Sequence, residues 1–516
     1  MYIGDYLARR CVYTPEKIAL IEVSVATARR FTYRELNQRS NQLANRLRSI
    51  GVGKSDRVAM LAHDGAHFYD AFFACGKLGA IFVPLNWRLH AREIEQQIRQ
   101  TTPKVFIYSA EAPMNTIVEH LQHCAEMPQF LPLASAGEFD LKKAMQSAAT
   151  NAVTCESLRE SDTACLLFTG GTTGKPKAAQ MSHGQIVWNM INSMLGDVLG
   201  TDTFLNIFPL FHAGGLFAFS LPILIQGGMV IQTKKFEPAQ ALDLIEAERV
   251  TIFGGVPTVF QMLTTAPNWE KADLRSLRFC MSGGAPMPVS LIQRYQKEKG
   301  VVFRQGFGMT EFGPGVFSLA SEDAEHKAGS IGKPNFFVDA RVVDPATNQP
   351  LPTKAVGELV LRGPSAMTGY FGNLEASQAA FDAENYLHTG DMAYIDEEGY
   401  FFIVDRMKDM FISGGENVYP SEIEAILYQH PAVAMCAVVG MKDKKWGEVG
   451  RAFVVRKENS NVDETTLLAF LRENLAAYKV PKSILFKDSL PISGAGKILK
   501  SELRKEQSAE SRGLGA

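Results

Sequence analysis

The sequence predicts an α/β protein with a large N-terminal domain of parallel sheets covered by helices and a small α+β C-terminal domain. Two observations predict it. Short apolar runs alternate with helical segments through the first four hundred residues, and after about Val338 the residue pattern changes to one typical of short antiparallel strands. A chain of 516 residues has room for about three or four domains or subdomains. We place the N-terminal domain at residues 1–405, with a small β-barrel-like subdomain at about 338–404, and the C-terminal domain at 406–516.

The first elements are indicated by a helix start and by a series of short runs. Thr32 and Glu35 form a capping box, and Leu36, Leu43 and Leu47 follow at helical spacing. Short β-rich runs and a helical segment come next, at Val58–Leu61, Ile81–Val83, Val105–Ile107, Met229–Ile231, Ala239–Glu248 and Thr251–Phe253. Alternation of this kind is typical of parallel strands that are connected through helices.

The last third of the chain has a different pattern. Gly357–Gly363 and Gly399–Val404 are typical of short antiparallel strands. Ser421 and Glu424 form a second capping box, which predicts that a helix begins there. We expect residues 506–516 to be frayed.

Composition excludes several functional classes. The chain is 46% hydrophobic and 21% charged with a formal net charge of -2, which is typical of a soluble globular protein and gives no nucleic-acid footprint. The N-terminus lacks a signal-peptide pattern, and no run of about 18 uncharged apolar residues predicts a membrane span. Seven dispersed cysteines without a Cys-x-x-Cys pair indicate reduced thiols in a cytoplasmic protein and give no support to zinc ligation.

The loop Thr169–Lys177, TGGTTGKPK, concentrates glycine, threonine and lysine between two apolar runs. Isolated Gly-Gly-Thr runs are as often plain turns or linkers. Here the flanking runs predict a tight loop between two buried strands, in which backbone N–H groups, hydroxyls and two ammonium groups converge as a polyphosphate site. The loop is not a Walker A motif, because Pro176 stands where that motif has Ser or Thr.

Five further clusters carry chemistry, although each alone is also compatible with an ordinary turn, a solvated side chain or a linker. SGGAP (282–286) follows a strand and offers small residues to a flat ring, and QGFGMTE (305–311) ends in Glu311, a carboxylate suited to Mg²⁺. TGD (389–391) places Asp391 where it can accept two ribose hydroxyl bonds. DRMKD (405–409) lies where the texture changes, and ISGAGK (492–497) puts Lys497 on a glycine-rich loop.

Together, and in this order, these motifs resemble the adenylate-forming superfamily: AMP-forming acyl-CoA synthetases, firefly-type luciferases and the adenylation domains of peptide synthetases. PLFHAGG (209–215), SGGENVYPSEIE (413–424), KWGE (445–448) and GKILK (496–500) add to the resemblance, which extends from Phe31 to Lys497. Among subfamilies the chain looks most like fatty-acyl-CoA and aryl-CoA ligases. The resemblance implies two half-reactions: a carboxylate and Mg·ATP give acyl-AMP and pyrophosphate, and the thiol of CoA then displaces AMP.

The resemblance also implies roles for individual residues. Lys497 reaches the carboxylate and the α-phosphate, Thr310 touches the α-phosphate, Glu311 binds Mg²⁺, Asp391 holds the ribose hydroxyls with Arg406 nearby, and Phe307 stacks near the adenine or the acyl group. The residues that bind the β- and γ-phosphates are Thr169, Gly170, Gly171, Thr172, Thr173, Gly174, Lys175 and Lys177. Those that line the adenine are Gly284, Ala285 and Pro286, and Gly308 and Met309 line the neighbouring pocket. The family more often has Thr-Ser-Gly where this chain has Thr169-Gly170-Gly171, so one hydroxyl is lost.

A mobile C-terminal domain, which rotates between the half-reactions, is a further implication of the resemblance. The hinge maps to Lys408. Rotation removes Lys497 from the site and brings in a second face of the domain. In that face Gly414 and Gly415 line the pantetheine channel, with Trp446 beside them. Trp446 is also compatible with a half-buried surface aromatic that has no such role. ATP, Mg²⁺ and CoA are therefore the expected cofactor and co-substrates.

His212 resembles the family's gate between the ATP site and the acyl pocket. No acid stands near it to pair with an ammonium group, which favours a carboxylic acid without an α-amine. Small residues at the predicted pocket wall, Gly215 and Gly308 among them, favour a medium- or long-chain fatty acid, with a benzoate- or cinnamate-type acid as the second choice. The motifs are also compatible with a loader of a carrier protein, a luciferase-like oxygenase and a nucleotide-binding protein without catalysis. We expect small-molecule partners only, with peripheral membrane contact and a homodimer left open.

Overall fold

The computed structural model describes residues 2–24, 27–133, 141–169, 176–413, 416–443, 445–458, 460–492 and 498–513. The chain divides into two compact units. The first comprises Met1–Asp339 and Leu361–Leu387, and the second comprises Ala340–Val360 and His388–Ala516. The first segment of the first unit ends at Asp339, close to the change of residue pattern at Val338. The predicted domain boundary between residues 405 and 406 stays a prediction.

The strands among these residues are short and follow one another closely in the chain. They are β1 Ile18–Val23, β2 Ala28–Thr32, β3 Arg57–Leu61, β4 Ile81–Pro84, β5 Val105–Tyr108, β6 Gln129–Pro132, β7 Thr163–Thr169, β8 Lys177–Ser182, β9 Thr203–Asn206, β10 Met229–Thr233, β11 Ile252–Gly255, β12 Phe279–Gly283, β13 Phe303–Met309, β14 Gly313–Leu319, β15 Ser330–Pro334, β16 Asp339–Val343, β17 Gly357–Arg362, β18 Leu387–Ile395, β19 Phe401–Arg406, β20 Phe411–Ser413, β21 Glu416–Val418, β22 Val433–Asp443, β23 Gly447–Arg456 and β24 Ser483–Phe486.

The helices alternate with these strands. They are α1 Tyr6–Tyr13, α2 Tyr33–Ser49, α3 Ala66–Leu78, α4 Ala91–Thr101, α5 Met114–Gln122, α6 Leu141–Gln146, α7 His183–Leu195, α8 Ser220–Gln226, α9 Pro238–Ala247, α10 Pro257–Thr264, α11 Val289–Lys299, α12 Leu374–Ala379, α13 Pro420–Leu427, α14 Glu464–Asn474 and α15 Lys500–Gly513, with a π-helical turn at Gly214–Ala218 and 3-10 turns at Ile3–Asp5, Ser321–Asp323 and Ala477–Lys479. None of the helices described is both long and apolar enough to cross a membrane.

Two sheets form the first unit. One has the order β6-β5-β3-β4-β7-β8, and the other follows the order β15-β14-β13-β12-β11-β9-β10-β1-β2. β5, β3 and β4 pair in parallel, as do β1, β10, β9, β11, β12 and β13 along the second sheet. The predicted parallel α/β architecture is confirmed.

Buried apolar side chains on both sheets explain why these runs become strands. Ile21, Leu205, Ile231 and Phe253 come from neighbouring strands of the second sheet and pack with Trp269 in one cluster. Ala59, Val83 and Phe106 do the same in the first sheet. Because both faces of a parallel strand are covered by helices, its sequence reads as a continuous apolar run rather than as an alternation.

The second unit contains a row of strands in the order β16-β17-β18-β19 and a sheet in the order β21-β20-β23-β22, with β24 on β23. β18 and β19 are antiparallel, as the sequence predicts. Val438, Ala452, Leu467 and Ile484 belong to one buried cluster, which packs α13 and α14 against the β22–β23 face.

The two capping boxes have different outcomes. The Thr32 hydroxyl accepts the Glu35 N–H at the start of α2, as predicted. At α13 the capping box prediction is wrong: Tyr419 is the N-cap, and no side chain caps the helix. The Ser421 hydroxyl instead donates to the Val404 carbonyl, and Glu424 instead accepts the Val438 N–H and the Lys500 ammonium.

Fraying was predicted for residues 506–516, but α15 runs as a helix to Gly513, and residues 514–516 lie outside the described residues. Leu503 is fully buried in a small cluster with Phe453 and Leu490. Arg504 adds an ion pair with Asp409 at 2.6 Å. An apolar anchor and ion pairs near its first turns therefore hold the helix.

Candidate active site

The ends of the predicted phosphate loop lie on one antiparallel strand pair. Thr169 at the end of β7 is paired with Lys177 at the start of β8, and its hydroxyl donates to the Lys177 carbonyl at 3.5 Å. The strand–loop–strand prediction is confirmed for these flanks. Other predicted phosphate contacts lie outside the described residues, namely Gly170, Gly171, Thr172, Thr173, Gly174 and Lys175.

Tyr370 connects this loop to the predicted magnesium ligand. The Tyr370 hydroxyl donates to Glu311 Oε1 at 3.1 Å, and the Lys177 ammonium nitrogen lies 4.9 Å from the centre of the Tyr370 ring. Burial and the neighbouring Glu311 carboxylate raise the pKa of Tyr370 well above its usual range. The phenol therefore stays protonated and keeps donating to Glu311.

The segment before Tyr370 is held by backbone hydrogen bonds. Gln180 of β8 donates to the Gly369 carbonyl at 2.9 Å, and Phe371 donates to the Ala178 carbonyl at 2.8 Å. Met367 donates to the Glu311 carbonyl at 2.7 Å. Sequence reasoning missed Tyr370, although a tyrosine between Gly369 and Gly372 is a signal that could have found it.

The predicted adenine turn follows a parallel strand. β12 pairs with β13 so that Gly283 lies opposite Gly306, and Gly284 has a φ of 81°. Ala285 and Pro286 are exposed. Because carboxyl ends of parallel strands share one edge, SGGAP lies beside the start of FGMTE, as is usual for ligand sites of open α/β sheets.

FGMTE itself forms the tip of a β-hairpin. Phe307 is paired with Phe317 and contacts its ring edge-on at 5.8 Å, and Met309 is paired with Gly313. Thr310 and Glu311 are half-buried in the turn between β13 and β14. The hairpin therefore fixes the backbone that carries both predicted catalytic side chains.

The PLFHAGG segment, which carries His212, is tied to the end of β3. The Leu210 N–H donates to Asp64 Oδ1 at 2.8 Å, and the Arg88 guanidinium lies 5.6 Å from the Phe211 ring. Burial raises the pKa of Asp64 to about 7, although the Leu210 N–H and Arg88 both act to lower it. His212 lies beside the Phe211 ring, at 4.7 Å between ring centres. Asp64 and Arg88 were not singled out from the sequence.

The two glycines of the predicted pocket wall, Gly215 and Gly308, are small because backbone lies against them. A Cβ on Gly215 would lie 2.3 Å from the Pro209 carbonyl oxygen, and one on Gly308 would lie 2.4 Å from the Pro314 carbonyl oxygen. Both glycines are therefore required by close backbone approach. The interpretation of these residues as space for a long or bulky acid is not supported.

In the second unit, Asp391 and Arg406 form an ion pair. They face each other across the β18–β19 ladder, with Arg406 Nε 2.5 Å from Asp391 Oδ1. Asp391 is 2% exposed, and its N–H donates to the Thr389 hydroxyl at 3.0 Å. Gly390 between them has a φ of 70°, which favours glycine at the centre of TGD. Arg406 is thus close to Asp391, as the resemblance implies.

The remaining predicted residues of this unit are exposed or undescribed. Lys408 is exposed in the turn between β19 and β20, and Trp446 is 49% exposed beside the Lys445 ammonium. Gly414, Gly415 and Lys497 lie outside the described residues. Their roles, like those of all the residues above, stay predictions.

The described residues fit Mg·ATP chemically. Glu311 is an oxygen ligand of the hard type that Mg²⁺ prefers together with substrate phosphates. Lys177 supplies a positive charge 4.9 Å from the centre of the Tyr370 ring. In the second unit, Asp391 and Arg406 offer an acceptor and a donor of the types that sugar hydroxyls and phosphates take up.

Comparison with known proteins identifies the family. The AMP-binding enzyme family matches residues 7–371, and the C-terminal domain of the AMP-binding enzymes matches residues 422–497. A feruloyl-CoA synthase of an Amycolatopsis species is 42% identical over 504 residues, covering 98% of each chain. A long-chain-fatty-acid–CoA ligase of Mycobacterium tuberculosis is 36% identical over 511 residues, covering 98% of this chain and 99% of the relative.

A solved structure agrees with this. The o-succinylbenzoate–CoA synthetase of Bacillus subtilis in complex with ATP and magnesium superposes with a TM-score of 0.86 at 31% identity, over 97% of this chain and 99% of the other. Both the family match and the full-length relatives place the chain in the same group as its motifs do. The chain belongs to the AMP-binding enzyme family, as an enzyme of the AMP-forming acid–thiol ligase class.

Proposed function

We propose that the chain is an AMP-forming CoA ligase that activates an aromatic carboxylic acid of the feruloyl type. The observation that carries the choice of acid is the 42% identity, over 98% of both chains, to a feruloyl-CoA synthase. The 36% identity to a long-chain-fatty-acid–CoA ligase supports a fatty acid as the second candidate. The preference for a fatty acid that the sequence suggested relied on the small size of Gly215 and Gly308, and neighbouring backbone atoms already require glycine at both positions.

In the first half-reaction, a carboxylate oxygen of the acid attacks the α-phosphorus of ATP, and pyrophosphate leaves. Two anions must meet, so cations and N–H dipoles have to be in place beforehand. Lys177, Thr169 and the rest of their loop hold the β- and γ-phosphates. Glu311, oriented by the Tyr370 hydroxyl, binds Mg²⁺, which neutralises phosphate charge when bound.

The other residues position the nucleoside and the acid. SGGAP and Phe307 take the adenine, and Asp391 with Arg406 takes the ribose. Thr310 and Lys497 contact the α-phosphate, and His212 lies at the acid. Each role is transferred from the motif that the residue stands in.

In the second half-reaction, the sulfur of CoA attacks the acyl carbonyl carbon and AMP leaves. Gly414, Gly415 and Trp446 line the thiol's channel after rotation about Lys408. A carrier-protein thiol in place of CoA would follow the same chemistry.

The test is release of AMP and pyrophosphate from Mg·ATP, with and without CoA. The acids are ferulate, cinnamate, benzoate, indoleacetate and fatty acids of graded length. We expect turnover that requires CoA and is fastest with ferulate or cinnamate.

Turnover confined to fatty acids would overturn the proposed aromatic substrate, while the proposed CoA ligase activity would stand. Acid-dependent pyrophosphate exchange without AMP release on adding CoA would instead indicate a carrier-protein loader. ATP binding without either product would contradict an active ligase altogether.

A further inference from the structure

A cluster of three different ligand-type side chains lies on the surface of the first unit, on helices α4 and α5. Glu95 is on α4, His120 is in the last turn of α5, and Cys124 follows one turn later. The spacing of four residues brings His120 and Cys124 to one side of the α5 end, where they meet Glu95. None of the three belongs to the candidate active site.

The ligand atoms of the three side chains converge. Glu95 Oε2 is 2.8 Å from His120 Nε2, and Cys124 Sγ is 3.9 Å from the same nitrogen. All three ligand atoms lie within 4.8 Å of one another. The cluster remains reachable from solvent, since the His120 side chain is 36% exposed and that of Glu95 is 22% exposed.

We propose that Glu95, His120 and Cys124 form a zinc site, with water as the fourth ligand. Imidazole, thiolate and carboxylate together are the donor set that suits Zn²⁺, whereas Mg²⁺ and Ca²⁺ prefer oxygen alone. This proposal concerns the α4–α5 surface and does not depend on which acid the enzyme activates.

The geometry requires little movement to accept the ion. Bond lengths of about 2.0–2.3 Å in a tetrahedral site place ligand atoms about 3.3–3.6 Å apart. The Glu95–His120 pair therefore has to open, and the His120–Cys124 pair to close, by about 0.5 Å each. Glu95 and Cys124, whose ligand atoms lie within 4.8 Å of each other, have to close by at most about 1.2 Å. On binding zinc, the Cys124 thiol loses its proton to solvent, and His120 coordinates through Nε2 as a neutral imidazole with its one proton on Nδ1.

Arg99 supports the arrangement from behind. Its Nε donates to Glu95 Oε1 at 2.9 Å, so Arg99 and His120 take different oxygens of the same carboxylate. A carboxylate ligand oriented in this way by an outer partner is usual in metal sites. The site would bind α4 to the end of α5.

Sequence patterns do not predict this site. The cysteines are scattered, and Glu95 is 25 residues before His120. Only the packing of α4 against α5 brings the third ligand to the His-x-x-x-Cys pair.

Cobalt titration of the untagged, metal-free, reduced full chain tests the proposal, because Co²⁺ in place of Zn²⁺ reports thiolate and tetrahedral ligation by absorption. We expect one equivalent of Co²⁺ to give a thiolate charge-transfer band and intense ligand-field bands, and Zn²⁺ to displace it. Cys124→Ser should abolish the thiolate band, and His120→Ala should weaken binding by more than about tenfold.

Two matched variants are the controls. Cys155→Ser removes another half-buried free thiol, and His123→Ala removes a neighbouring imidazole that bonds the Glu119 carbonyl; both should bind like the wild type. Zn²⁺ should also raise the melting temperature of the wild type but not of His120→Ala. Absence of the thiolate band in the wild type, or an equal band in Cys124→Ser, would overturn the proposal.

Discussion

Tyr370 joins two residues that the motifs name separately, Lys177 and Glu311. Its hydroxyl keeps Glu311 in one orientation, so the phenol acts through the carboxylate rather than on the substrate. A hydrogen bond to a carboxylate contributes about 1.5–3 kcal/mol. Tyr370 is therefore a positioning residue whose loss should be visible in magnesium dependence.

We expect Tyr370→Phe to lower acid-dependent pyrophosphate exchange about tenfold or more, with a higher Mg²⁺ requirement. Exchange is measured against Mg²⁺ concentration at saturating ATP. Tyr394→Phe, at a half-buried tyrosine stacked on Phe402, is the control and should leave the rate unchanged. A lower rate with an unaltered Mg²⁺ requirement would contradict the link to Glu311.

Lys497 gives the second prediction at this scale. Lys497→Ala should lower acyl-AMP formation about 100-fold or more, because it removes the charge proposed at the reacting carboxylate. Thioester formation from supplied acyl-AMP should remain largely intact. Lys505→Ala, at an exposed lysine paired with Glu502 on α15, is the matched control. Equal loss in both half-reactions would argue against a role confined to the first.

At the scale of elements, the turn that contains Gly214 and Gly215 shows what local glycines are for. Gly215 lies against the backbone of Pro209 and Leu210, whereas nothing lies within 4 Å of a Cβ on Gly214. Two neighbouring glycines of one motif therefore have different requirements. Only Gly215 is fixed by packing.

Gly215→Ala should destabilise the protein by about 1–3 kcal/mol, since the added methyl group displaces the Pro209–Leu210 backbone. Gly214→Ala is the control and should change stability by less than about 0.5 kcal/mol. Urea unfolding gives both values. Equal stability of the two variants would show that the Pro209 segment moves freely out of the way.

Helix starts show how far element prediction reaches. Thr32 caps α2 because Glu35 stays beside it and completes the capping box. At α13 the Ser421 hydroxyl donates to the Val404 carbonyl instead, and Glu424 forms an ion pair with Lys500. The same local pattern therefore gives two outcomes. The strands at Val58, Ile81 and Val105 were predictable because their buried runs need no partner to be recognised.

On the scale of the whole molecule, two buried groups make folding stability depend on pH in opposite directions. Burial lowers the pKa of His183 from 6.5 to about 4, and burial raises the pKa of Asp64 from 3.8 to about 7. His183 is fully buried, with the Ile3 N–H 3.4 Å from its Nδ1. Between about pH 4 and pH 6.5 the unfolded chain protonates His183 while the folded chain protonates Asp64.

His183 therefore contributes stability that is full above pH 6.5 and is lost as pH falls toward about 4, on the order of 3 kcal/mol. The Asp64 contribution is full below pH 3.8 and is lost as pH rises through about 7. We expect Asp64→Asn to make the melting temperature rise more steeply with pH in this window than it does in the wild type. His183→Gln should have the opposite effect, and identical slopes in all three proteins would contradict both assignments.

The proposed rotation gives another prediction at this scale. Lys408→Pro should slow thioester formation more than acyl-AMP formation, because proline fixes φ in the turn that serves as hinge. The hydrogen bonds of this turn are donated by Met407, Asp409 and Met410, and Lys408 is exposed. Lys408→Ala keeps the backbone free and should retain both rates. An equal effect of proline on both half-reactions would contradict a hinge at this residue.

The sequence by itself determined the α/β class, most strand positions, the family and the motif residues, because apolar runs and motif order are local properties of the chain. Only the tertiary structure decided that Tyr370 supports Glu311, that Asp64 holds the His212 segment, and that Gly215 is small for its backbone neighbours. It also decided that Glu95 meets His120 and Cys124. Each of these depends on which distant segment packs alongside, and side-chain contacts between distant segments are set by the fold rather than by neighbours in the chain.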